Sequence, residues 1–329
     1  MHEHFTEREV IIAGEYQLSA TLTIPKDHDV TTKYPAIVIV SGSGGADRDG
    51  NMKSLPSNIY KHLASFLTSI GFITIRYDKR GIGQSQGDPF STGMKDLVDD
   101  VISNVKYLQS LPEVSQEQIL LLGHSEGAIL STVANTQYPV AGLILIAGAG
   151  SSLRTAMEWQ NSSVAAEIEE MQGIKGAILR RLVTKEKVNQ KQNALFNKIL
   201  ASDEEVMKIQ LKKFPAKWMR EHLQYTDEDL LNMLEETACP ILAVTGDKDV
   251  QANPADLERV RALGKENIIC SIIANMDHLL REYEGKKTIL HLKKQYKRHV
   301  DKPLHPQLKE QIKVWCIVQN YIGIKTFLY

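Results

Sequence analysis

Cysteine is scarce in this chain. Cys239, Cys270 and Cys316 are odd in number, lie far apart and form no CxxC pair. That argues against a disulfide framework and offers no zinc-binding spacing. Cys239 and Cys270 sit beside or within apolar strand patterns, where small buried thiols are ordinary. Long apolar runs are missing too: none approaches the roughly 18 residues that a membrane-spanning helix needs. The N-terminus, MHEHFTEREVIIAGE, lacks the apolar core of a secretory signal. A reduced, cytoplasmic setting is the expectation, with no membrane partner. Net charge is nearly absent, at −1, so nothing global points to a nucleic acid partner. The one basic run, KKTILHLKKQYKRHVDK (286–302), reads as a solvated helical face.

What is present is apolar and patterned. Hydrophobic residues make up 43% of 329 positions, enough for one large α/β domain with an insertion. EVII (9–12) and QLSATLTIP (17–25) read as an N-terminal antiparallel pair. AIVIV (36–40), FITIR (72–76), ILLL (119–122), GLILI (142–146), ILAVT (241–245) and NIICSII (267–273) are short runs typical of strands buried on both faces. Helical stripes separate most of them, among them Ile59, Leu63, Phe66, Leu67 and Ile70, and Leu97, Val101, Val105 and Leu108. Strands alternating with helices predict a mostly parallel, doubly wound sheet. From 151 to 236 no strand is evident, and SVAAEIEEM, QNALFNKIL, EEVMKIQLKKF, AKWMREHL and DEDLLNMLEE all read as helices. The expected organisation is a catalytic domain made of 1–150 and 237–329, interrupted by a helical cap at 151–236. HPQLKEQIKVWCIVQNYIG (305–323) reads as a closing helix on the sheet.

The segment GHSEG (123–127) places a serine between two glycines, after a strand and before a helix. This is the context of a nucleophile elbow: a turn too tight for side chains at its ends, with Ser125 raised at a helix N-terminus. The amide of Glu126 then points where an oxyanion would develop. A serine hydroxyl needs a base, and in this arrangement the acid and then the histidine follow the serine in the chain. His2, His4, His28, His62, His124 and His222 come too early. His291, His299 and His305 fall in the basic stretch or at the last helix. His278, in the loop ANMDHLL just after a strand, is the expected base. CPILAVTGDKDVQ (239–251) offers Asp247 and Asp249 at the carboxyl edge of the sheet, where open α/β sheets place their sites. Spacing does not separate the two. The loop SGSGGADRDGN (41–51) is the expected source of the second oxyanion amide, that of Ser43.

Together these motifs resemble the α/β-hydrolase superfamily over most of 10–323. YDKRGIGQSQG (77–87) is similar to the D-x-R-G-x-G-x-S loop of many members, and GDKD followed 29 residues later by DH resembles their acid and histidine pair. That likeness implies that the fourth residue of GDKD, Asp249, is the acid. More narrowly, SGSGGADRDGN, GHSEG and KWMREHLQYTDEDLL before CPILAVTGDKDVQ resemble bacterial serine esterases related to dienelactone hydrolases. Many members carry His-Gly where this chain has Ser41-Gly42, a change that leaves a backbone donor intact. The resemblance implies the α/β-hydrolase fold and a triad of Ser125, Asp249 and His278 acting on a small-molecule carboxylic ester through an acyl-enzyme, with no metal or organic cofactor. The same triad also serves thioesterases, acyltransferases and peptidases, and a non-catalytic binding protein could share the fold. Two residues stand as candidate substrate contacts. Arg48 could read a substrate carboxylate, the alternative being an ion-paired cluster with Asp47 and Asp49 that stiffens the loop. Trp218 could line an apolar pocket, the alternative being core of the cap itself. Asp78 and Arg80 read as loop scaffolding.

Overall fold

The computed structural model describes residues 5–26 and 32–323; the expected catalytic domain's two ends, 1–4 and 324–329, lie outside the described residues. An antiparallel pair opens the chain, β1 (Phe5–Ile12) and β2 (Leu18–Pro25). Strand β3 (Tyr34–Val40) follows, then a loop holding the two-residue strands β4 (Asn51–Met52) and β5 (Leu55–Pro56), then helix α1 (Ile59–Ser69). Next come β6 (Ile73–Tyr77), α2 (Met94–Ser110), β7 (Val114–His124), α3 (Glu126–Gln137) and β8 (Gly142–Ile146). The sheet resumes after 236 with β11 (Ile241–Gly246), α9 (Asp256–Arg261) and β12 (Ile268–Ile273). A short helix, α10 (Leu292–Lys297), and the closing α11 (Pro306–Val318) complete the chain.

The main sheet has the order β1-β2-β6-β3-β7-β8-β11-β12. Every neighbouring pair from β6 to β12 is parallel, while β1 and β2 run antiparallel at one edge. The inner strands β3, β6, β8 and β11 are buried on both faces, which explains their largely apolar composition, whereas the edge strands β1 and β12 are partly exposed. The expectation of a strand buried on both faces is therefore corrected at 267–273, where Ile269 and Ile272 are exposed at the sheet's edge. One face packs on α2, α3 and α9 through residues such as Val101, Leu130 and Val260; the other packs on α1 and α11 through Leu63, Leu67, Ile312 and Trp315. The order reverses at β3, whose neighbours β6 and β7 lie on opposite sides. The carboxyl ends of strands beside such a reversal are where open α/β sheets hold ligands. This is the α/β-hydrolase fold.

Between β8 and β11 the chain leaves the sheet through α4 (Leu153–Glu170), α5 (Gly173–Leu182), α6 (Lys185–Leu200), α7 (Ala216–His222) and α8 (Asp227–Glu236). The expectation of helix throughout is corrected at one place. EEVMKIQLKKF is a hairpin, β9 (Val206–Ile209) paired with β10 (Lys212–Pro215), turning at Gln210 and Leu211, both with positive φ. Two successive left-handed residues make the turn whose twist suits a two-residue hairpin. Neither is the glycine or asparagine that normally announces one, so the turn carries no sequence signal. Phe196, Ile199, Met207, Ala216 and Met219 form a separate small core within the inserted segment. Leu230 and Leu234 of α8 instead join the core of the main sheet. The basic run at 286–302 is only briefly helical, over α10, and Gln295 and Tyr296 within it are buried. Among the described residues, no helix is long and apolar enough to cross a membrane.

Candidate active site

Strand β7 ends at His124 and α3 begins at Glu126, so Ser125 alone makes the turn. Its φ is 57° and ψ −121°, a strained conformation for a residue with a side chain. The flanking glycines make that turn possible. A Cβ on Gly123 would stand 2.2 Å from the Gly127 carbonyl oxygen, and one on Gly127 would stand 2.1 Å from that of Val40. The Ser125 amide donates to the Ile146 carbonyl at 2.8 Å, which pins the turn to β8.

Asp249 and His278 come from the loops after β11 and β12. Asp249 is fully buried; its Oδ2 accepts from His278 Nδ1 at 2.7 Å, and its Oδ1 accepts the amides of Gln251 and Ala252 at 2.7 and 2.9 Å. Because a carboxylate only accepts, Nδ1 of His278 carries a proton and Nε2 is left free to take one. Burial acts to lower the His278 pKa, but the Asp249 charge and hydrogen bond outweigh it and raise it above the ordinary value. His278 and Ser125 line one cavity. Asp247, by contrast, is exposed and accepts the Asn275 amide at 2.7 Å, so it ties the loop after β11 to the loop that carries His278, while it is Asp249 that pairs with the imidazole. Of the other late histidines, His299 is buried against Asp277, and His305 caps α11.

The loop after β3 lies against the serine. Gly42 packs close to Ser125, and its amide donates to Tyr60 Oη at 2.8 Å. The next amide along the loop is that of Ser43, which lines the same cavities as Ser125. Glu126, at the first turn of α3, presents an amide with no partner within its own helix. The fold thus brings Ser43 and Glu126 to the wall of one cavity with Ser125.

Four residues in this site escaped that reading. Tyr60 Oη bonds His124 Nδ1 at 3.1 Å, and His124 Nε2 meets the His278 carbonyl at 3.0 Å. The carbonyl only accepts, so Nε2 of His124 carries the proton and Nδ1 accepts from Tyr60. A single chain of hydrogen bonds therefore runs from the Gly42 amide through Tyr60 and His124 to the backbone of His278. Burial, and then the neighbouring His278, hold the His124 pKa well below its ordinary value, so it stays neutral in this relay. Burial likewise raises that of Tyr60, which keeps its proton. Lys79 donates to the Gly42 carbonyl and to Glu126 Oε2, both at 2.7 Å. His222 meets Glu126 Oε1 at 2.9 Å. His124 sits inside the motif itself and could have been flagged; the other three are joined to it only by the fold.

The two candidate substrate contacts part company. Arg48 is not at the site. Its guanidinium binds Asp78, Glu9, Ser19 and Thr21, and its backbone amide also donates to Asp78. Asp49 pairs with Arg76 at 2.6 Å. Arg80 pairs with Asp100 at 2.9 Å. The Asp47–Asp49 segment thus takes the ion-paired, loop-stiffening alternative. Trp218 does border the site. A cavity of about 290 Å³ beside Ser125 is lined by Ile129, Leu153, Met157, Trp218 and Met219. A second, of about 330 Å³, holds His278 with Tyr60, Leu279, Leu292 and Tyr296.

Residues 56–283 match the family described as Serine aminopeptidase, S33. The chain is 28% identical to the protein named Esterase EstD of Thermotoga maritima over 322 residues, which is 96% of this chain and 68% of that one. Among solved structures it is similar to Est1E from Butyrivibrio proteoclasticus with ferulic acid bound, at 17% identity and a TM-score of 0.60, covering 94% of this chain and 99% of that one. It is also similar to the Pyrococcus furiosus esterase Pf2001, at 12% identity and a TM-score of 0.55, covering 97% and 94%. These structures share the fold. With a family match that spans β6 to β12, the elbow and the histidine loop, the chain belongs to the S33 serine aminopeptidase family of α/β hydrolases.

Proposed function

We propose that this protein is a serine esterase that cleaves carboxylic esters through an acyl-enzyme. The observation that carries this reading is a buried His278, held at Nδ1 by Asp249, in the cavity that also holds the strained Ser125. Ser125 Oγ attacks the ester carbonyl carbon while His278 Nε2 takes its proton. The amides of Ser43 and Glu126 hold the oxyanion that forms. Collapse breaks the bond to the leaving oxygen, which takes the proton back from His278. Water, deprotonated by the same nitrogen, then attacks the acyl-enzyme; the acid leaves and Ser125 regains its proton.

The two cavities divide the substrate. The general acid must reach the leaving oxygen, so the cavity that contains His278 takes the alcohol. The cavity lined by Ile129, Leu153, Met157, Trp218 and Met219 lacks His278 and takes the acyl group. Both walls are largely apolar, which suits a neutral ester. An aminopeptidase must also bind a free α-ammonium group. The non-triad carboxylates on these walls already have partners: Glu126 accepts from Lys79, Trp218 and His222, and Asp256 accepts from Asn253. The names of EstD and Pf2001 add weight to the ester reading. The test compares p-nitrophenyl esters of graded acyl length with aminoacyl p-nitroanilides. Turnover of esters with no measurable anilide cleavage supports the proposal; the reverse ranking overturns it.

A further inference from the structure

The amide of Glu126 serves the oxyanion, yet its carboxylate takes no part in that chemistry. It is nonetheless almost wholly buried, at 5% exposure. Trp218 Nε1 donates to its Oε1 at 2.5 Å and His222 Nε2 meets the same oxygen at 2.9 Å, while Lys79 Nζ donates to Oε2 at 2.7 Å. A buried charge is tolerated only with such a full set of donors. Burial acts to raise the Glu126 pKa, but Lys79 and then His222 carry it well below the ordinary carboxylate range. The group is therefore a fixed anion, next in the chain to the nucleophile.

Two of its three donors lie on α7 of the inserted segment. The His222 ring also meets the Trp218 indole edge to face, with centroids 4.8 Å apart. The indole is thus held at its nitrogen and against its ring. Trp218 borders two cavities at once. One is the 290 Å³ acyl cavity. The other, of about 560 Å³, is walled by Ile82, Pro89, Phe90, Leu97 and the glycines of the oxyanion loop. Glu126 and Ser43 border both as well. The indole therefore borders both an apolar cavity beside Ser125 and a larger one on the side of the oxyanion loop.

We infer that Glu126 is a positioning residue that determines specificity: its carboxylate holds the Trp218 indole as a partition between the two cavities and so limits the acyl length the site accepts. The inference rests on the esterase reading for its substrate. It assigns a role to the carboxylate that is separate from the role of the same residue's amide. It also explains why the anion sits in the elbow: the partition is then referenced to the nucleophile itself.

The test compares wild type with Trp218→Phe, Glu126→Ala, Glu126→Gln and the double variant Glu126→Ala/Trp218→Phe. The readout is the ratio of kcat/KM for p-nitrophenyl laurate over p-nitrophenyl acetate. A single methylene admitted to an apolar pocket is worth about tenfold at the low end of its range. Trp218→Phe, which lacks the N–H, and Glu126→Ala should each raise the ratio by about tenfold. Glu126→Gln keeps an acceptor for the indole and should raise it less. The double variant should match Trp218→Phe alone, because both remove one contact. An unchanged ratio in folded Trp218→Phe overturns the inference, even where Glu126→Ala fails to fold. Additive shifts in the double variant overturn it too. Two further readouts need no turnover: hydrogen exchange of the Trp218 indole N–H by NMR, and binding of laurate relative to butyrate. Exchange should quicken in Glu126→Ala but not in Glu126→Gln, and laurate should gain affinity in Trp218→Phe. If wild type hydrolyses no ester, the esterase reading fails, and these two readouts still decide the partition.

Discussion

Replacing Asp249 by Asn changes one atom and should nearly abolish turnover. The carboxylate's two oxygens are not equivalent here. Oδ1 accepts backbone amides of Gln251 and Ala252, at 2.7 and 2.9 Å, so the asparagine must keep its oxygen there. Its nitrogen is then forced to the position of Oδ2, 2.7 Å from His278 Nδ1. Two donors cannot face each other, so Nδ1 loses its proton and Nε2 gains it. That tautomer cannot accept the Ser125 proton. Loss of a charge-assisted hydrogen bond alone is worth about 1.5–3 kcal/mol, or roughly ten- to a hundredfold. The wrong tautomer costs more, on the order of 10⁴ in kcat, or about 5 kcal/mol of barrier. The larger effect wins. Steady-state kinetics on a p-nitrophenyl ester, with a thermal melt to confirm folding, read it directly. The acid limb of any residual activity should also move to lower pH, because the charge that raises the His278 pKa is gone. Asp247→Asn keeps an oxygen to accept the Asn275 amide and leaves the Asp249–His278 pair untouched, so it should stay within a few fold of wild type. A folded Asp249→Asn protein within tenfold of wild type would refute the reasoning.

Tyr60→Phe leaves the Gly42 amide and His124 Nδ1 without their shared partner. It should cost about 1–3 kcal/mol in urea unfolding and lower kcat by loosening the oxyanion loop; an unchanged midpoint speaks against the relay. Gly127→Ala would drive a Cβ to 2.1 Å from a carbonyl of a central strand. The overlap should cost about 3 kcal/mol or more and lower Tm by several degrees, whereas an unshifted melt would mean that the elbow is looser than described. The Glu126 pKa is depressed in the folded state. Its stabilisation is therefore present above the unfolded carboxylate's pKa and lost as pH falls through the folded value. Glu126→Gln should weaken the fall of Tm on acidification, and an acid limb identical to wild type counts against the buried anion.

The parts of the fold and site visible in the sequence are those written in contiguous residues. The parallel strands announced themselves because burial on both faces demands unbroken apolar runs, as in GLILI. The elbow was visible because backbone contact at Gly123 and Gly127 leaves no room for side chains. The order of acid and histidine came with the nucleophile-elbow arrangement, the choice of Asp249 over Asp247 came from resemblance, and the structure separates them by burial and by contact with His278. The hairpin at 206–215 was missed because its turn residues, Gln210 and Leu211, carry no turn signal. Tyr60, Lys79 and His222 were missed because each meets its partner across tens of residues, with no local pattern to mark it. An ion-paired Arg48 was among the readings, but its partners were not legible, because Asp78 and Glu9 arrive from other strands and loops and not from the adjacent Asp47 and Asp49.

The central claim is that Ser125 is the nucleophile, activated by His278. A fluorophosphonate reports it most directly, since it forms a stable bond only with an activated serine. Intact-mass and peptide mass spectrometry of the labelled protein should show one adduct, on the peptide that contains Ser125. The adduct should be absent in Ser125→Ala and formed more slowly by several orders of magnitude in His278→Ala, with both variants folded. Labelling of another serine, or undiminished labelling of Ser125→Ala, would contradict the account.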